Sequence, residues 1–239
     1  MTKTIVVLAN SVKSHGRCLA GKEVASSGKE WKVGDWIRPV STPQGGEVSI
    51  TQMEEFLGRE PALLEIIEVP VTGPVALPDQ PENWLIDPKR KWRRVDRMDW
   101  SQVGALVDRP RQVWDDGRGW RHVAPGFVQR MTKPASLFLI EPQEIVSIEI
   151  WSEPNRFPPP ATKRRRLAKL RYGGIVHEFD IDDPVLADRY YPRFPGLNAG
   201  RQTIALRCPS DTLACVSLTL PYRGKHYKIA AAFIEPPAK

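Results

Sequence analysis

Short runs of apolar and β-branched residues, separated by turn-forming residues, repeat along most of this chain. In the N-terminal third, a polar turn interrupts the first long apolar run, and this pattern predicts a β-hairpin. A segment ending at Gly58 is predicted to form one or two helical turns, and Pro70 favours a sheet edge or a strand end. The predicted strands cover residues 4–13, 17–24, 36–40 and 63–71.

The middle of the chain, residues 79–134, has a different pattern. It contains five of the eight tryptophans among many charged residues: Trp84, Trp92, Trp100, Trp114 and Trp120. Its best helix candidate covers residues 99–107, with Asp99 as the N-cap. We interpret this segment as a Trp-rich connector that packs against both flanking modules.

The strand pattern returns after residue 135. Gly173 and Gly174 separate two β-like runs and predict a two-residue hairpin turn. Asp182, Asp183 and Pro184 predict the start of a short helix over residues 185–191, and residues 157–160 predict a stiff, proline-rich loop. The predicted strands cover residues 136–140, 144–151, 164–172, 175–181, 203–207, 214–220 and 227–234.

Few strands, short helices and long loops fit an OB-like barrel better than a β-sandwich. We therefore predict a mainly β protein, all-β with short helices, built from two OB-like β-barrels joined by the connector. The predicted domains are residues 1–78, 79–134 and 135–239.

The composition is that of a globular protein, with 41% hydrophobic and 26% charged residues. The three cysteines form no CxxC pair, which favours a reducing cytoplasm. We expect no membrane partner, because no apolar run is long enough to cross a bilayer and polar residues interrupt the opening run too early for a signal peptide. The net charge of +7 favours polyanionic partners.

The first cluster of basic residues lies in the predicted connector. Cations around an aromatic ring are the mixture that single-strand-binding grooves use for phosphates and bases. The alternative is a solvated surface in which the tryptophan anchors the connector to a barrel. The candidate nucleic-acid-binding residues here are Lys89, Arg90, Lys91, Trp92, Arg93 and Arg94, with Arg97 close behind.

A second basic cluster begins a predicted strand at Lys163. Its cations repel one another unless acidic residues of this protein or phosphates of a ligand lie nearby. The strand belongs to the hairpin that corresponds to the ligand-binding face of an OB fold. The candidate residues are Arg164, Arg165, Arg166, Lys169 and Arg171.

The turn between the first two strands contributes Lys13 and Arg17 as candidate nucleic-acid contacts. His15 and Cys18 are three residues apart, so a Cys/His nucleophilic pair is conceivable. Cys18 enters an apolar run, however, and such a cysteine behaves as a small hydrophobic residue. We therefore predict no catalytic residue here and leave the enzyme question open.

The sequence predicts neither a metal nor another cofactor. The four histidines are scattered, and phosphate-loop, GxSxG and HExxH motifs do not occur. Asp180, Asp182 and Asp183 could hold Mg²⁺, but helix capping by Asp182 or Asp183 is the simpler interpretation.

Several segments together resemble an uncharacterised bacterial family described as a dual OB-containing domain. The resemblance lies in residues 8–11, 16–21, 36–41, 182–184, 215–218 and 227–231. It implies two β-barrels over nearly the whole chain and, by analogy with other OB domains, nucleic-acid binding. It implies no known reaction.

The leading hypothesis is a cytoplasmic, non-enzymatic module that binds single-stranded nucleic acid or structured nucleic-acid ends, either DNA or RNA. Such a module could act in bacterial genome maintenance or defence. One alternative is a protein-interaction scaffold of such a complex, anchored by exposed Trp84, Trp114 and Trp120. Another is an enzyme or nucleotide-sensing domain that uses the turn at residues 11–18.

Overall fold

The structure is a computed structural model that describes residues 1–13, 16–28, 30–75, 77–117, 119–154, 162–186, 202–204 and 211–237. Two β-sheets dominate it, which confirms the prediction of a mainly β fold. Within the described residues, no helix is both long and apolar enough to cross a membrane.

The first sheet closes into a barrel with the strand order β1-β2-β3-β6-β5, in which β5 returns to pair with β1. Strands β3 and β6 are parallel, and the other pairs of the barrel are antiparallel. This is the five-stranded Greek-key order of an OB fold. The elements are β1 Thr2–Lys13, β2 Gly16–Ser27, β3 Glu30–Val40, β4 Val48–Ser49, α1 Ile50–Leu57, β5 Glu65–Pro74, β6 Asn83–Ile86 and β7 Arg93–Arg97.

The helix predicted before Gly58 is confirmed as α1. Ser49 caps its N-terminus by accepting a hydrogen bond from the Gln52 backbone N–H, and Gly58 ends it in the left-handed conformation at φ 79°. Met53 from α1 packs into the interior of the first barrel.

The second sheet has the order β13-β10-β11-β12-β15-β14-β9. Strands β9 and β10 adjoin in sequence across Glu141, Pro142 and Gln143, so they act as two halves of one broken strand. The first half pairs with β14 and the second with β11, which gives the OB order again. The elements are β8 His122–Val123, β9 Leu137–Ile140, β10 Glu144–Pro154, β11 Thr162–Tyr172, β12 Ile175–Ile181, β13 Gln202–Ile204, β14 Leu213–Leu218 and β15 His226–Ile234.

Two predicted turns of the second sheet are confirmed. Gly173 and Gly174 join β11 to β12 at φ 59° and 79°, the left-handed values of a tight hairpin turn. Asp183 caps the next helical turn by accepting hydrogen bonds from the backbone N–H groups of Val185 and Leu186. The remainder of that predicted helix and the proline-rich loop at 157–160 lie outside the described residues.

The predicted connector contributes to the first sheet. Strand β6 pairs with β3 and β5, and β7 pairs with β5, so this sheet extends to Arg97. The boundary expected at residue 78 therefore falls inside the sheet. The predicted helix after Asp99 is a 3₁₀ helix, Trp100–Leu106, and Asp99 caps it through the Ser101 backbone N–H. A second short 3₁₀ helix covers Val128–Arg130.

The two sheets share a hydrophobic core in addition to their own interiors. In β1, Ile5 and Val7 lie in the interior of the first barrel. Val6 and Leu8 instead belong to the shared core, to which strands of the second sheet also contribute. Both faces of β1 are therefore buried, which explains its uninterrupted apolar run. Strand β15 is buried in the same way and contributes Ile229 and Ala231 to the shared core.

Asp108 connects the two sheets through polar contacts beside this core. Its carboxylate lies 2.6 Å from the Lys22 ammonium and accepts a hydrogen bond of 2.9 Å from the Trp36 indole, both of the first sheet. It also accepts the backbone N–H of Leu139 in the second sheet at 2.8 Å. Lys22 is 7% exposed, and the Asp108 carboxylate is the one counter-ion that the described residues give its ammonium.

Candidate nucleic-acid interface

The most exposed aromatic surface of the described molecule lies on the second barrel. Residues 119–123, here called the strap, lie between the starts of β12 and β15. The Gly119 carbonyl accepts a hydrogen bond from the Glu178 N–H of β12, and the Arg121 carbonyl accepts one from the Lys228 N–H of β15, both at 2.8 Å. The strap therefore joins two strands that pair directly only near Asp180 and Ile181.

Side chains from the strap and from the β14–β15 turn share one outer face. Trp120 and His122 are two residues apart on the strap, and His122 lies opposite Tyr227 in the register. Lys225 is two residues before Tyr227 and forms a β-bridge with Tyr222 across the turn. We call this surface the Trp120 patch: Trp120, His122, Tyr222, Arg223, Lys225 and Tyr227.

The patch combines exposed rings with cations. Trp120 is 47% exposed and Tyr222 is 57% exposed. The His122 ring contacts the rings of Trp120 and Tyr227 edge to face, with centroid distances of 5.7 and 6.0 Å. The Arg223 guanidinium lies over the Tyr222 ring at 5.2 Å. In an OB fold the turn between the last two strands is one of the ligand-binding loops.

His122 is neutral at neutral pH. Burial and the adjacent Lys225 ammonium lower the pKa of His122 below its usual value of 6.5. The Lys225 Nζ lies 3.2 Å from His122 Nε2, so the ammonium donates to that nitrogen. No carboxylate of the described residues lies within salt-bridge distance of Lys225 or Arg223, which leaves both cations available to an external anion.

The first predicted cluster is divided between the surface and the interior. Lys89, Arg90, Lys91 and Arg97 are exposed, and Arg90 donates to the Met1 carbonyl and the Thr2 hydroxyl. Arg93 binds Glu68 at 2.6 Å. Arg94 donates to Glu65 at 3.3 Å and to the Leu57 carbonyl at 2.5 Å.

Trp92 lies inside the first barrel rather than on its surface. Its side chain is 4% exposed and packs against Phe56, with ring centroids 5.6 Å apart. The predicted base-stacking role of Trp92 requires an accessible ring face, and this structure does not provide one. Its position fits the alternative interpretation, in which this tryptophan anchors the predicted connector to a barrel.

The second predicted cluster faces carboxylates of its own sheet. Strand β11 lies between β10 and β12, and acidic side chains of both neighbours reach its cations. Lys169 contacts Glu149 and Glu178 at 2.8 and 3.9 Å. The other cross-strand pairs are Arg165–Glu153 at 2.6 Å and Arg171–Glu144 at 3.0 Å. The protein therefore supplies its own counter-charges along this OB face, here called the ion-pair ladder. Arg166 is half-buried, and the side chain of Arg164 lies outside the described residues.

The residues predicted near the first turn are also engaged internally. Lys13 donates to the Gly45 carbonyl at 3.1 Å, and Arg17 binds both oxygens of Glu60 at 2.5 and 3.1 Å. Burial raises the pKa of the Cys18 thiol from its usual value, which disfavours the thiolate that a nucleophilic role requires. His15 lies outside the described residues.

The structure adds an open groove on the first barrel, with a volume of about 560 Å³. Trp31, Val33 and Val95 supply its main apolar lining, and its acidic side chains Glu23 and Glu68 are already paired with Lys3 and Arg93. Among the described residues, no group of three metal-ligating side chains is present. Asp183 instead caps its helical turn and accepts the Phe233 N–H.

Sequence reasoning found only part of the Trp120 patch. Trp120 was expected as an exposed anchor, together with Trp84 and Trp114. Trp114, however, is 1% exposed and donates to the Ala135 carbonyl, and Trp84 is half-buried beneath the Lys3 ammonium. Tyr222, Arg223 and Lys225 were missed, although the Arg-Gly-Lys turn before a strand was a visible signal.

Comparisons with known proteins address the family. The model of the dual OB-containing domain matches residues 3–233. No curated protein matches the chain significantly. A solved structure of a murine DNA-binding protein bound to double-stranded DNA is similar over 100% of both chains, at 8% identity and a TM-score of 0.31, and a likeness this weak carries no argument. Because the family model spans nearly the whole sequence, the chain belongs to the dual OB-containing domain family.

Proposed function

We propose that the protein is a nucleic-acid-binding module whose Trp120 patch holds a single strand or an unpaired end, without catalysis. The observation that supports this most is the exposed Trp120 ring beside cations that no described carboxylate neutralises. Stacking of bases on exposed rings, with cations along the backbone, is how single strands are bound without sequence readout.

Each part of the patch has a role in this proposal. Trp120 and Tyr222 stack on bases, while Lys225 and Arg223 bind phosphates. The exposed Lys89, Arg90, Lys91 and Arg97 would add phosphate contacts on the first barrel. The ion-pair ladder would contribute little, because binding a phosphate there requires breaking an existing ion pair.

The test is a binding titration with fluorescently labelled single strands of about 15 nucleotides, both DNA and RNA, at low salt. Trp120→Ala should weaken binding about fivefold or more, from the loss of roughly 1–3 kcal/mol of stacking. Lys225→Gln should weaken it and reduce the slope of log affinity against log salt by about one.

Lys169→Gln is the matched control, since it makes the same charge change on the ion-pair ladder. It should leave affinity within about twofold of the wild type. Absence of binding at low salt, or an equal loss for Lys169→Gln and Lys225→Gln, would refute the proposal.

The exposed Trp120 and Tyr222 also favour a second candidate, a protein-docking surface, because aromatic residues are common interface anchors. Co-purification from the native host would separate the two functions. Partners that survive nuclease treatment but are lost with Trp120→Ala would support the docking function.

A further inference from the structure

Lys228 contacts the strap on both sides of Trp120. Its backbone N–H donates to the Arg121 carbonyl at 2.8 Å, and its side-chain Nζ donates to the Gly119 carbonyl at 3.3 Å. The two main-chain groups that flank Trp120 are therefore held by one residue of β15. This residue is fully buried.

The strap begins at a position with little freedom. Gly119 has φ +66°, and a Cβ there would lie 2.2 Å from the Val176 carbonyl oxygen. Its N–H donates to Asp115 at 2.8 Å, and its carbonyl also accepts the Glu178 N–H. The Lys228 ammonium adds the only side-chain donor that the described structure gives to this carbonyl.

Charged and titratable groups surround Lys228 on two sides. Asp115 and Asp116 precede the strap, and Glu178 and His177 lie on β12; the Phe179 ring is 5.3 Å from Nζ. None of these carboxylates is within 4 Å of Nζ. Burial is the main cause that lowers the pKa of Lys228 from 10.5 to about 8, and the three carboxylates oppose it.

The contact between His177 and Lys228 indicates which of the two side chains carries the shared proton. The His177 Nδ1 lies 3.4 Å from the Lys228 Nζ, and because an ammonium only donates, this nitrogen accepts. Burial and Lys228 both lower the pKa of His177, so a neutral imidazole fits the contact. Loss of the Lys228 proton would leave an amine that still donates to the Gly119 carbonyl and would remove the buried charge, so the closed strap should become more stable.

We propose that Lys228 is a positioning residue, whose buried amino group fixes the strap and thereby makes nucleic-acid affinity at the Trp120 patch depend on its protonation. This inference rests on the proposed function for its ligand, but the state of the strap can be measured without any ligand.

Two measurements test it in the full-length protein. Affinity for the labelled single strand should rise by up to about tenfold between pH 7 and 9.5 in the wild type, as the strap loses its buried charge. Lys228→Met, which has no donor for the Gly119 carbonyl, should bind more weakly than the wild type at pH 9.5 and lose this pH dependence. Lys225→Gln, also weakened at pH 7, should keep it, because Lys228 is intact.

Hydrogen exchange of residues 119–123 in the ligand-free protein, corrected for the intrinsic effect of pH, is the second measurement. Corrected exchange should slow above pH 8 in the wild type, because closing the strap no longer buries a charge, and should show no such change with pH in Lys228→Met. A strap whose corrected exchange does not change with pH would refute the inference. A pH-dependent strap in a protein that binds no single strand would refute the proposed function alone. If Lys228→Met fails to fold, the two wild-type pH profiles still decide.

Discussion

Replacement of Lys228 by methionine should change how the stability of the whole protein depends on pH. Lys228 is fully buried, and its pKa is about 8 in the folded protein against 10.5 for an unperturbed lysine. Methionine has a similar length and carries no charge, so Lys228→Met removes the titration while largely filling the same space.

The direction of this pH dependence follows from whether the folded or the unfolded protein holds the proton on Lys228. Between pH 8 and 10.5 the unfolded chain keeps a proton on Lys228 that the folded protein has released, so the free energy of unfolding rises with pH. At about 1.4 kcal/mol for each pH unit, the shift from 10.5 to about 8 corresponds to about 3 kcal/mol. Below pH 8 both states hold the proton, and the full destabilisation by the buried charge is present.

Urea denaturation of the wild type and Lys228→Met at several pH values between 7 and 10.5 measures this effect. The wild-type free energy of unfolding minus that of the variant should rise by about 3 kcal/mol over the range. Taking this difference removes the contributions of other titrating groups, which are common to both proteins.

Lys225→Met provides the control, because Lys225 is an exposed lysine in the turn that leads into β15, the strand that contains Lys228. Its difference from the wild type should stay flat with pH. A flat or falling difference for Lys228→Met would show that the buried amine does not titrate as its surroundings require, and would overturn the reasoning.

Three further substitutions test the contacts described above by urea denaturation. Asp108→Ala should destabilise the protein by about 3 kcal/mol, since it leaves Lys22 buried without a counter-ion; Asp108→Asn should cost less, and equal effects would argue against a charge effect. Glu60→Gln should destabilise more at pH 7 than at pH 3: the bond to Arg17 lowers the pKa of Glu60, and the stabilisation it provides is lost as the pH falls through that lowered pKa. Gly119→Ala should unfold more easily than Gly224→Ala, because a Cβ would clash with the Val176 carbonyl at Gly119 and would meet nothing at Gly224.

Local sequence patterns predicted much of the fold. The Gly173–Gly174 turn, the Gly58 helix end and the Asp99 cap depend on residues close in sequence, and all three are present. The sheet membership of β6 and β7 could not be predicted in this way, since their partners are in β3 and β5. Tryptophan density marked these segments as a connector, although β6 completes the first barrel and β7 extends its sheet.

The candidate site was harder to predict because strand register determines which charges meet. The basic run in β11 was correctly seen as needing counter-charges, but only the pairing with β10 and β12 shows that Glu149, Glu153 and Glu144 supply them. The strap gave no sequence signal, since its partners in β15 lie more than 100 residues away.

The position of the ion-pair ladder explains why the Trp120 patch is the better candidate interface. An OB barrel offers a ligand the face of its second and third strands and the loops beside it. In the second barrel, carboxylates on β10 and β12 already pair with Arg165, Lys169 and Arg171 of that face. The loop before β15 retains Arg223 and Lys225 without described carboxylate partners and lies beside an exposed indole. An anion approaching this barrel therefore gains more at Arg223 and Lys225 than at Arg165, Lys169 or Arg171, because binding at the loop breaks no ion pair of the described residues.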